Sequence, residues 1–189
     1  MTPESTRSAV GRHGALPLES RSVQVTGRVL QVNVKPGTPG EYGLPKRAVP
    51  AVRIGVGGVE GDFNNWRTDH LPGDREQAVL LVTTDLLAQL REEGWPVAPG
   101  DLGENITLDG IPEAALSVGT RLAIGGVVLE ISKPCDPCTR LYTLPYVGAE
   151  RGPEFLRATA GRRGWYARVV EPGPLEAGAV VSMAAASAR

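Results

Sequence analysis

The two cysteines of the chain, Cys135 and Cys138, lie in the run Ile-Ser-Lys-Pro-Cys-Asp-Pro-Cys-Thr-Arg-Leu at 131–141. The two prolines of this run forbid regular strand pairing and leave the loop little backbone entropy to lose. The thiols are therefore predicted to follow directly after a strand. Lys133 and Arg140 place positive charge on either side of them. Such charge favours the thiolate, the form of cysteine that attacks electrophiles and binds metals.

A Cys-x-x-Cys pair is compatible with several kinds of site. A structural zinc site normally needs four ligands, and the two histidines, His13 and His70, lack the paired spacing of zinc ligands, so we expect no zinc. A thioredoxin-like redox pair normally begins a helix after a βαβ pattern, whereas these cysteines follow a predicted hairpin. Two inert, half-buried thiols are a third interpretation, because free cysteine often acts as a small hydrophobe. A thiolate that carries sulfur or binds a metal is the fourth.

The loop from Glu60 to His70 is a second candidate region, because hydrogen-bonding side chains are dense in it. Asp62 and Asn64 match the first calcium ligands of an EF-hand, but the glycine and terminal glutamate of that motif are absent, so we expect no calcium. The alternative is a solvated connection whose Asp and Asn side chains satisfy local backbone groups. His70 is expected to be an exposed loop residue rather than a base or ligand.

The run Gly-Asp-Leu-Gly-Glu-Asn-Ile at 100–106 is a third candidate, since glycines bracket acidic and amide groups just before a predicted strand. Gly103 would let the backbone approach an anion, although turn chemistry alone accounts for the same pattern. Further along the chain, Arg162 and Arg163 offer guanidinium forks suited to phosphate, or else lie in a solvated surface.

The elements that must position these loops are mostly short strands. They are predicted around eight apolar positions: Val25, Ile54, Val79, Ile106, Leu122, Leu129, Val169 and Val181. The first strand is expected to be interrupted near Gly27, and a hairpin is expected about Gly125-Gly126. Because a closed barrel protects the edges of many short strands, the predicted fold is mainly β, a closed barrel with a few short helices.

Two helices are predicted among these strands. The clearer one carries Leu86, Leu87 and Leu90 on one face, with Thr84 as its cap and Gly94 at its end. A shorter helix is predicted over Pro153 to Ala160.

Length and charge limit the possible classes of function. The 189 residues favour one domain, expected over 23–183, with mobile tails at 1–22 and 184–189. The 20 Lys and Arg nearly balance 21 Asp and Glu, and a net charge of −1 gives no general attraction to nucleic acid or anionic lipid. Since no apolar stretch of about 20 residues is present, we expect a cytoplasmic protein with no membrane or nucleic-acid partner, in a compartment that keeps thiols reduced.

Four motifs occur here in the order found in MOSC proteins, a family named after the C-terminal domain of molybdenum cofactor sulfurase. They are Gly61-Asp62, the run at 100–106, Pro137-Cys138 and Gly-Trp-Tyr-Ala-Arg-Val at 164–169. The chain therefore resembles a stand-alone bacterial-type member of that family over roughly 23–183. The resemblance implies a closed, mainly β barrel with a cysteine that carries persulfide sulfur or ligates molybdenum in a pterin cofactor, molybdopterin.

Carried onto this sequence, the resemblance implies roles for particular residues. The reactive cysteine of the family falls on Cys138, the expected catalytic residue and molybdenum ligand, while Cys135 is a resolving thiol, a second ligand or incidental. Many relatives have a histidine shortly after Gly-Asp and an arginine where Cys135 stands, so roles tied to those residues do not transfer. The expected cofactor-binding residues are Gly61, Asp62, Gly103, Glu104, Asn105, Arg162, Arg163 and Arg168. The two loops, Cys138 and some of these arginines are predicted to converge on one pocket.

The leading hypothesis is a stand-alone MOSC-type protein whose Cys138 thiolate acts in sulfur transfer or in a molybdenum-dependent reduction of a small molecule. We expect neither the aminotransferase-like domain of full cofactor sulfurases nor an appended ferredoxin domain. The protein is therefore expected to be independent of pyridoxal phosphate and to receive sulfur or electrons from a separate protein, a cysteine desulfurase or an electron donor. The alternatives are a non-catalytic module that binds a pterin phosphate or a partner protein, and a Cys-x-x-Cys thiol redox protein.

Overall fold

The computed structural model of the protein describes residues 24–35, 44–64, 67 and 70–184. The predicted N-terminal tail lies outside these residues, as does the predicted C-terminal tail apart from residue 184. The strands are β1 (Gln24–Val34), β2 (Arg47–Val49), β3 (Ala51–Gly55), β4 (Gly58–Val59), β5 (Val79–Thr83), β6 (Ile106–Asp109), β7 (Arg121–Ile124), β8 (Val127–Pro134), β9 (Trp165–Glu171), β10 (Gly173–Glu176) and β11 (Val180–Ala184). The α-helices are α1 (Thr84–Glu92) and α2 (Gly148–Thr159), and short 3-10 helices span Glu113–Ala115 and Thr139–Thr143.

Seven of the strands close into a barrel. Their hydrogen-bonded order is β11-β7-β8-β9-β5-β6-β1, and β1 pairs again with β11. Strands β5 and β6 are parallel, and the other neighbours in the ring are antiparallel. Closure removes the free edges that short strands would otherwise expose. The predicted mainly β, closed-barrel fold is confirmed.

Two apolar cores stabilise this arrangement, one inside the barrel and one outside it. Val79 and Leu81 of β5 belong to the interior core, whereas Val82 belongs to the outer core together with α1 and α2. Because β5 is covered on both faces, all five of its residues are buried. The outer core also includes Leu102 and Leu141, which anchor the loop before β6 and the 3-10 helix after the cysteines. The second core therefore holds two of the candidate loops in place.

The helix predicted from a Thr84 cap is present as α1, but its cap is Thr83. The Thr83 hydroxyl accepts a hydrogen bond from the Leu86 N–H at 3.2 Å, which satisfies one of the unpaired donors of the first turn. The second predicted helix begins earlier than expected, at Gly148, and Pro153 lies in its interior. Proline marks the first turn of many helices, and that preference misplaces the start here. None of the helices in the described residues has the length and apolar character needed to cross a membrane.

Strand β1 continues through Gly27, so the predicted interruption there is wrong. A Cβ at this position would overlap the carbonyl oxygen of Asp109 and would lie 2.9 Å from the Ile111 side chain. Glycine is therefore required by the close packing of β1 against its neighbours rather than by a bend. The irregularity of β1 lies further along, where its register with β6 shifts between Val29 and Gln31.

A second, three-stranded sheet has the order β10-β3-β4. Strand β3 contains the predicted strand position Ile54, whereas the pattern does not predict β10, since Gly173 and Pro174 are turn signals. Strand β10 forms because its residues pair in register with all but the last residue of β3, with Leu175 opposite Val52. The predicted hairpin about Gly125 is present between β7 and β8.

Candidate functional site

A cavity of about 650 Å³ lies beside the loop that carries the two cysteines. This volume is within the range of sites for small molecules and cofactors. Its charged lining residues are the cations Lys46, Arg67, Lys133, Arg140 and Arg163 and the acids Asp62 and Asp136. Five cations against two acids give this cavity an excess of positive charge, although the whole chain has a net charge of −1. The cavity is therefore electrostatically suited to an anionic ligand.

The two cysteines are both free thiols in different environments. They follow β8, as predicted. Cys135 is 1% exposed, and its N–H donates to the carbonyl of Gly164 at 2.9 Å. Burial raises the pKa of the Cys135 thiol, so this sulfur stays protonated near neutral pH. Cys138 is exposed and lines the cavity. The thiol that a ligand or donor protein can reach is therefore Cys138.

The guanidinium of Arg163 is buried and points at Cys138. Its Nη1 donates to the Asp136 carbonyl at 3.0 Å and lies 3.4 Å from Cys138 Sγ. Its Nε and Nη2 both donate to the Leu102 carbonyl, at 3.2 and 3.0 Å. These bonds fix the guanidinium, and a hydrogen bond from a fixed cation stabilises negative charge on the sulfur. Arg163 is therefore placed as a charge partner of the thiol rather than as an open fork for phosphate.

Asp62 and Asn105 connect the loop after β4 to the floor of the cavity. The Asp62 carboxylate accepts from the Lys35 N–H at 2.8 Å, from Lys46 Nζ at 2.7 Å and from Asn105 Nδ2 at 2.9 Å. Asn105 is 3% exposed, and its Oδ1 accepts from the Leu80 N–H at 3.1 Å. With their polar atoms engaged in this way, the two side chains hold the cavity together and orient Lys46.

Gly103 lines the cavity and has no room for a side chain. Its φ is +85°, which favours glycine, and a Cβ would lie 2.7 Å from Leu44 Cδ2 and 3.5 Å from Arg163 Nη2. The missing side chain therefore allows Leu44 and the Arg163 guanidinium to approach the loop from two sides.

Glu104 does not line the cavity as expected, because its side chain is fully buried. Its Oε1 accepts from the Gly100 N–H at 2.5 Å and from Thr107 Oγ1 at 3.0 Å. Its Oε2 has no hydrogen-bond partner among the described residues. Burial raises the pKa of this carboxyl well above its usual range, against the opposing effects of these hydrogen bonds and of Lys46. Glu104 is therefore a buried acid that favours its neutral form.

The raised pKa of Glu104 makes a prediction about stability and pH. The folded protein keeps this proton at pH values where the unfolded chain releases it, so stability falls as pH rises from the unfolded pKa, about 4.3, toward the folded one. Glu104→Gln removes this dependence. We expect the free energy of unfolding of the variant, relative to that of wild type, to increase by up to about 1.4 kcal/mol per pH unit within that window. Urea unfolding from pH 5 to pH 8 measures the difference.

A control and a contrary result complete this test. Glu93 is exposed, and a hydrogen bond from Arg162 lowers the pKa of its carboxyl, so the contribution of Glu93 changes only below the unfolded value. Glu93→Gln should therefore differ from wild type by a constant amount between pH 5 and pH 8. If Glu104→Gln also differed from wild type by a constant free energy of unfolding over this range, the pKa of Glu104 would not be raised by folding.

Besides Glu104, three predicted cofactor-binding residues do not line the cavity. Arg162 lies at the end of α2 and pairs with Glu93 at 2.5 Å. Arg168 lies opposite Glu130 in the β8–β9 register and pairs with it at 2.5 Å, because alternate strand residues face away from the barrel interior. Gly61, with φ +80°, forms a turn beside Asp62. Their expected contact with a cofactor stays a prediction, since the two arginine side chains engage neighbouring residues outside the cavity lining.

The lining residues that were not named as site residues include Lys46, Arg67 and Tyr166. Burial raises the pKa of the Tyr166 phenol, so its hydroxyl is neutral, and Lys133 Nζ lies 5.9 Å from its ring centroid. Tyr166 belongs to the Gly-Trp-Tyr motif, so that motif was a usable signal. Arg67 lies in the candidate loop at 60–70 but was not itself named there, and Lys46 belongs to no motif.

The backbone of Gly164 joins the thiol loop to β5, and we expect it to tolerate no side chain. Its φ is +109°, and a Cβ would overlap the Leu81 carbonyl oxygen and lie 2.7 Å from Val82 Cγ2. Gly164→Ala should lower the free energy of unfolding by about 2–5 kcal/mol, the sum of overpacking and backbone strain. At Gly161, with φ +70°, a Cβ meets nothing within 4 Å, so Gly161→Ala should cost only about 1–2 kcal/mol. Equal urea midpoints for the two variants would contradict this difference.

Comparison with known proteins identifies relatives of this chain. The chain is 28% identical over 141 residues to the uncharacterized protein YflK of Bacillus subtilis, which covers 74% of this chain and 62% of that protein. It is 31% identical over 87 residues to protein YiiM of Escherichia coli, which covers 46% of this chain and 37% of that protein. The chain thus spans less than two thirds of the length of either relative.

Solved structures match over larger parts of the chain, and a family model matches as well. The YuaD protein of Bacillus subtilis has a TM-score of 0.71 at 18% identity and covers 87% of this chain and 99% of its own. YiiM of Geobacillus stearothermophilus has a TM-score of 0.64 at 25% identity, covering 83% and 74%. The model of the MOSC domain matches residues 67–182, more than half of the sequence, and includes both cysteines and Arg163. The chain belongs to the MOSC domain family.

Proposed function

We propose that this protein binds the phosphorylated pterin of the molybdenum cofactor in the cavity and uses the Cys138 thiolate to carry sulfur or to bind molybdenum. One observation carries the proposal. An exposed thiol lies 3.4 Å from a buried guanidinium at a cavity whose charged lining is five cations and two acids. A phosphate-bearing ligand needs such cations, and a thiolate beside a cation is suited to attack sulfur or to bind a soft metal.

The residues present fit a metal that is brought to the site by a cofactor. Within the described residues no group of three or more His, Cys, Asp or Glu side chains could hold a metal ion alone. Cys138 would therefore contribute a single soft thiolate, which suits metals that prefer sulfur ligands, and the pterin would supply the other ligands. When bound, the cofactor would supply the redox chemistry of molybdenum. The chain itself would hold the phosphate, position the thiolate and keep its charge.

In sulfur transfer, the chain's own residues perform a simple exchange. The Cys138 thiolate attacks the outer sulfur of a persulfide on a donor protein, the donor S–S bond breaks, and the donor sulfur leaves as a thiolate. The reaction needs no external oxidant. Arg163 stabilises the negative charge before the attack and the new persulfide anion after it. The donor would be a cysteine desulfurase in the cytoplasm, and an electron-donor protein would take its place if the reaction is reduction of a small molecule.

A second candidate function is a non-catalytic module that binds a pterin phosphate. Lys46 and Arg67 favour this candidate, because both cations line the cavity and neither belongs to the thiol loop. The two candidates differ in whether the thiol is needed. Pterin binding that survives replacement of Cys138, with unchanged amounts of any sulfur or metal adduct, would favour the binding module.

Metal and pterin analysis tests the proposed function directly. Protein purified from a host that makes the molybdenum cofactor should contain pterin together with molybdenum, or a persulfide on Cys138 detected by intact-mass spectrometry. Protein from the same host with cofactor synthesis deleted should lack the pterin and serves as the control. The absence of pterin, molybdenum and persulfide from protein made in the competent host would overturn the proposal.

A further inference from the structure

We infer that Lys46 and Arg67 form an anion-binding pair in the cavity that takes the phosphate group of the ligand. The identity of the physiological ligand rests on the proposed function, whereas anion binding by this pair does not. Neither residue belongs to the thiol loop, so the inference assigns the phosphate and the soft centre of the ligand to different segments of the chain.

Lys46 is held with its ammonium group at the cavity wall. Its N–H donates to the Gly100 carbonyl at 3.0 Å, which clamps the backbone just before β2. The side chain is 8% exposed, and Nζ lies 2.7 Å from Asp62 Oδ2. An ammonium group has three N–H donors, and a buried donor without an acceptor is costly. A ligand oxygen in the cavity would satisfy a donor that Asp62 does not take.

Arg67 brings a second cation to the same region. Its Nη1 donates to the Gln77 carbonyl at 2.9 Å and to the Ala78 carbonyl at 3.4 Å. Gly58 makes room for it, since a Cβ there would lie 3.1 Å from Arg67 Nη1. These partners are neutral carbonyls, so they orient the guanidinium without neutralising it. The remaining donors of a guanidinium match a phosphate group well.

The charges around Lys46 leave this region positive. Asp62 carries one negative charge, and the raised pKa of Glu104 favours its neutral form. Burial lowers the pKa of Lys46 and the charge of Arg67 acts in the same direction, whereas Asp62 and Glu104 oppose it. Burial therefore disfavours the charged form of Lys46, and a nearby anion would favour it. Positive charge that is removed from water and not fully paired is unfavourable, and a bound phosphate would supply the missing counter-charge.

Binding of inorganic phosphate to the purified protein tests the pair. We expect Lys46→Met to weaken phosphate binding, measured by isothermal titration calorimetry at physiological salt, by about tenfold or more, since a charge-assisted hydrogen bond is lost. Lys133→Met is the matched control. Lys133 also lines the cavity but is exposed, so salt screens its charge, and its loss should weaken binding by less than about threefold. Equal weakening of phosphate binding in both variants would show that the overall positive charge of the cavity, rather than a specific pair, attracts phosphate. That result would overturn the inference.

A second variant covers the case in which Lys46→Met does not fold. Arg67→Met removes the second cation of the pair, whose partners are neutral carbonyls, so phosphate should bind more weakly than in wild type. Wild-type affinity in folded Arg67→Met would overturn the inference.

The inference and the proposed function can fail separately. Phosphate binding that depends on Lys46, in a protein that never contains pterin or sulfur, would reject the proposed function alone. Wild-type affinity in folded Lys46→Met would reject the pair alone.

Discussion

Replacing Cys138 by serine is expected to abolish persulfide formation and molybdenum retention while preserving the fold. Serine nearly conserves the volume of cysteine, but its hydroxyl is neither a sulfur acceptor nor a soft ligand. Cys138 is exposed and precedes a short 3-10 helix, so the change should alter the free energy of unfolding by no more than about 0.5 kcal/mol. Intact-mass spectrometry measures the persulfide, elemental analysis measures molybdenum, and urea unfolding measures the stability.

Cys135→Ser is the paired control for this prediction. Cys135 is buried and its thiol pKa is raised, so the variant should keep the primary adduct and show weaker turnover. A buried hydroxyl in place of the thiol should also lower stability by about 1–3 kcal/mol. An adduct that survives in Cys138→Ser and disappears in Cys135→Ser would reverse the assignment. Loss of the adduct in both variants would indicate shared ligation or a disulfide-linked cycle.

The barrel strands could be predicted because each has its own local pattern. The eight apolar positions listed for strands all lie in strands, and the hairpin at Gly125 forms where the glycine pair predicts it. The closure of the barrel depends on β1 and β11, which come from opposite ends of the domain, with Gln24 opposite Ala184. Local patterns give no information about such a pairing. The barrel was therefore inferred from strand number and family resemblance rather than from any pairing signal.

The thiol loop could also be predicted, whereas its charge partner could not be distinguished from its neighbours. Arg162, Arg163 and Arg168 share one residue type within seven positions, and each looks equally suited to phosphate. Their surroundings decide their roles. Arg162 donates to a carbonyl near the end of α2, and Arg168 donates to Glu130 on the neighbouring strand. Arg163 is buried and donates to the Leu102 carbonyl beside the cavity.

Lys46 illustrates a different limit on what the sequence can predict. It stands alone between a proline and an arginine, and nothing around it marks it as part of a site. Its position arises from a backbone hydrogen bond to Gly100 and an ion pair with Asp62, which are contacts across long stretches of chain. Asp62 and Asn105 were expected to contact a ligand; both line the cavity, and their polar atoms also build the wall that holds Lys46.

Replacing Arg163 by methionine is expected to affect both stability and thiol reactivity. The change leaves the Leu102 and Asp136 carbonyls without the guanidinium donors that now satisfy them. We expect a loss of about 2–4 kcal/mol in the free energy of unfolding, or a fall of roughly 4–16 °C in Tm for a domain of this size. The loss of the fixed cation beside Cys138 should slow its alkylation by iodoacetamide at pH 7 by about tenfold.

Two further variants distinguish the effect of the positive charge of Arg163 from the effect of its several N–H donors. Arg163→Lys keeps the charge but cannot reach both carbonyls, so it should lose stability while retaining more thiol reactivity than the methionine variant. Arg162→Met removes the adjacent arginine, whose partner Glu93 is exposed. This control should cost no more than about 1 kcal/mol and leave alkylation of Cys138 unchanged. Peptide mass spectrometry assigns the alkylated cysteine. Wild-type reactivity of Cys138 in Arg163→Met would show that the guanidinium supports the loop without activating the thiol.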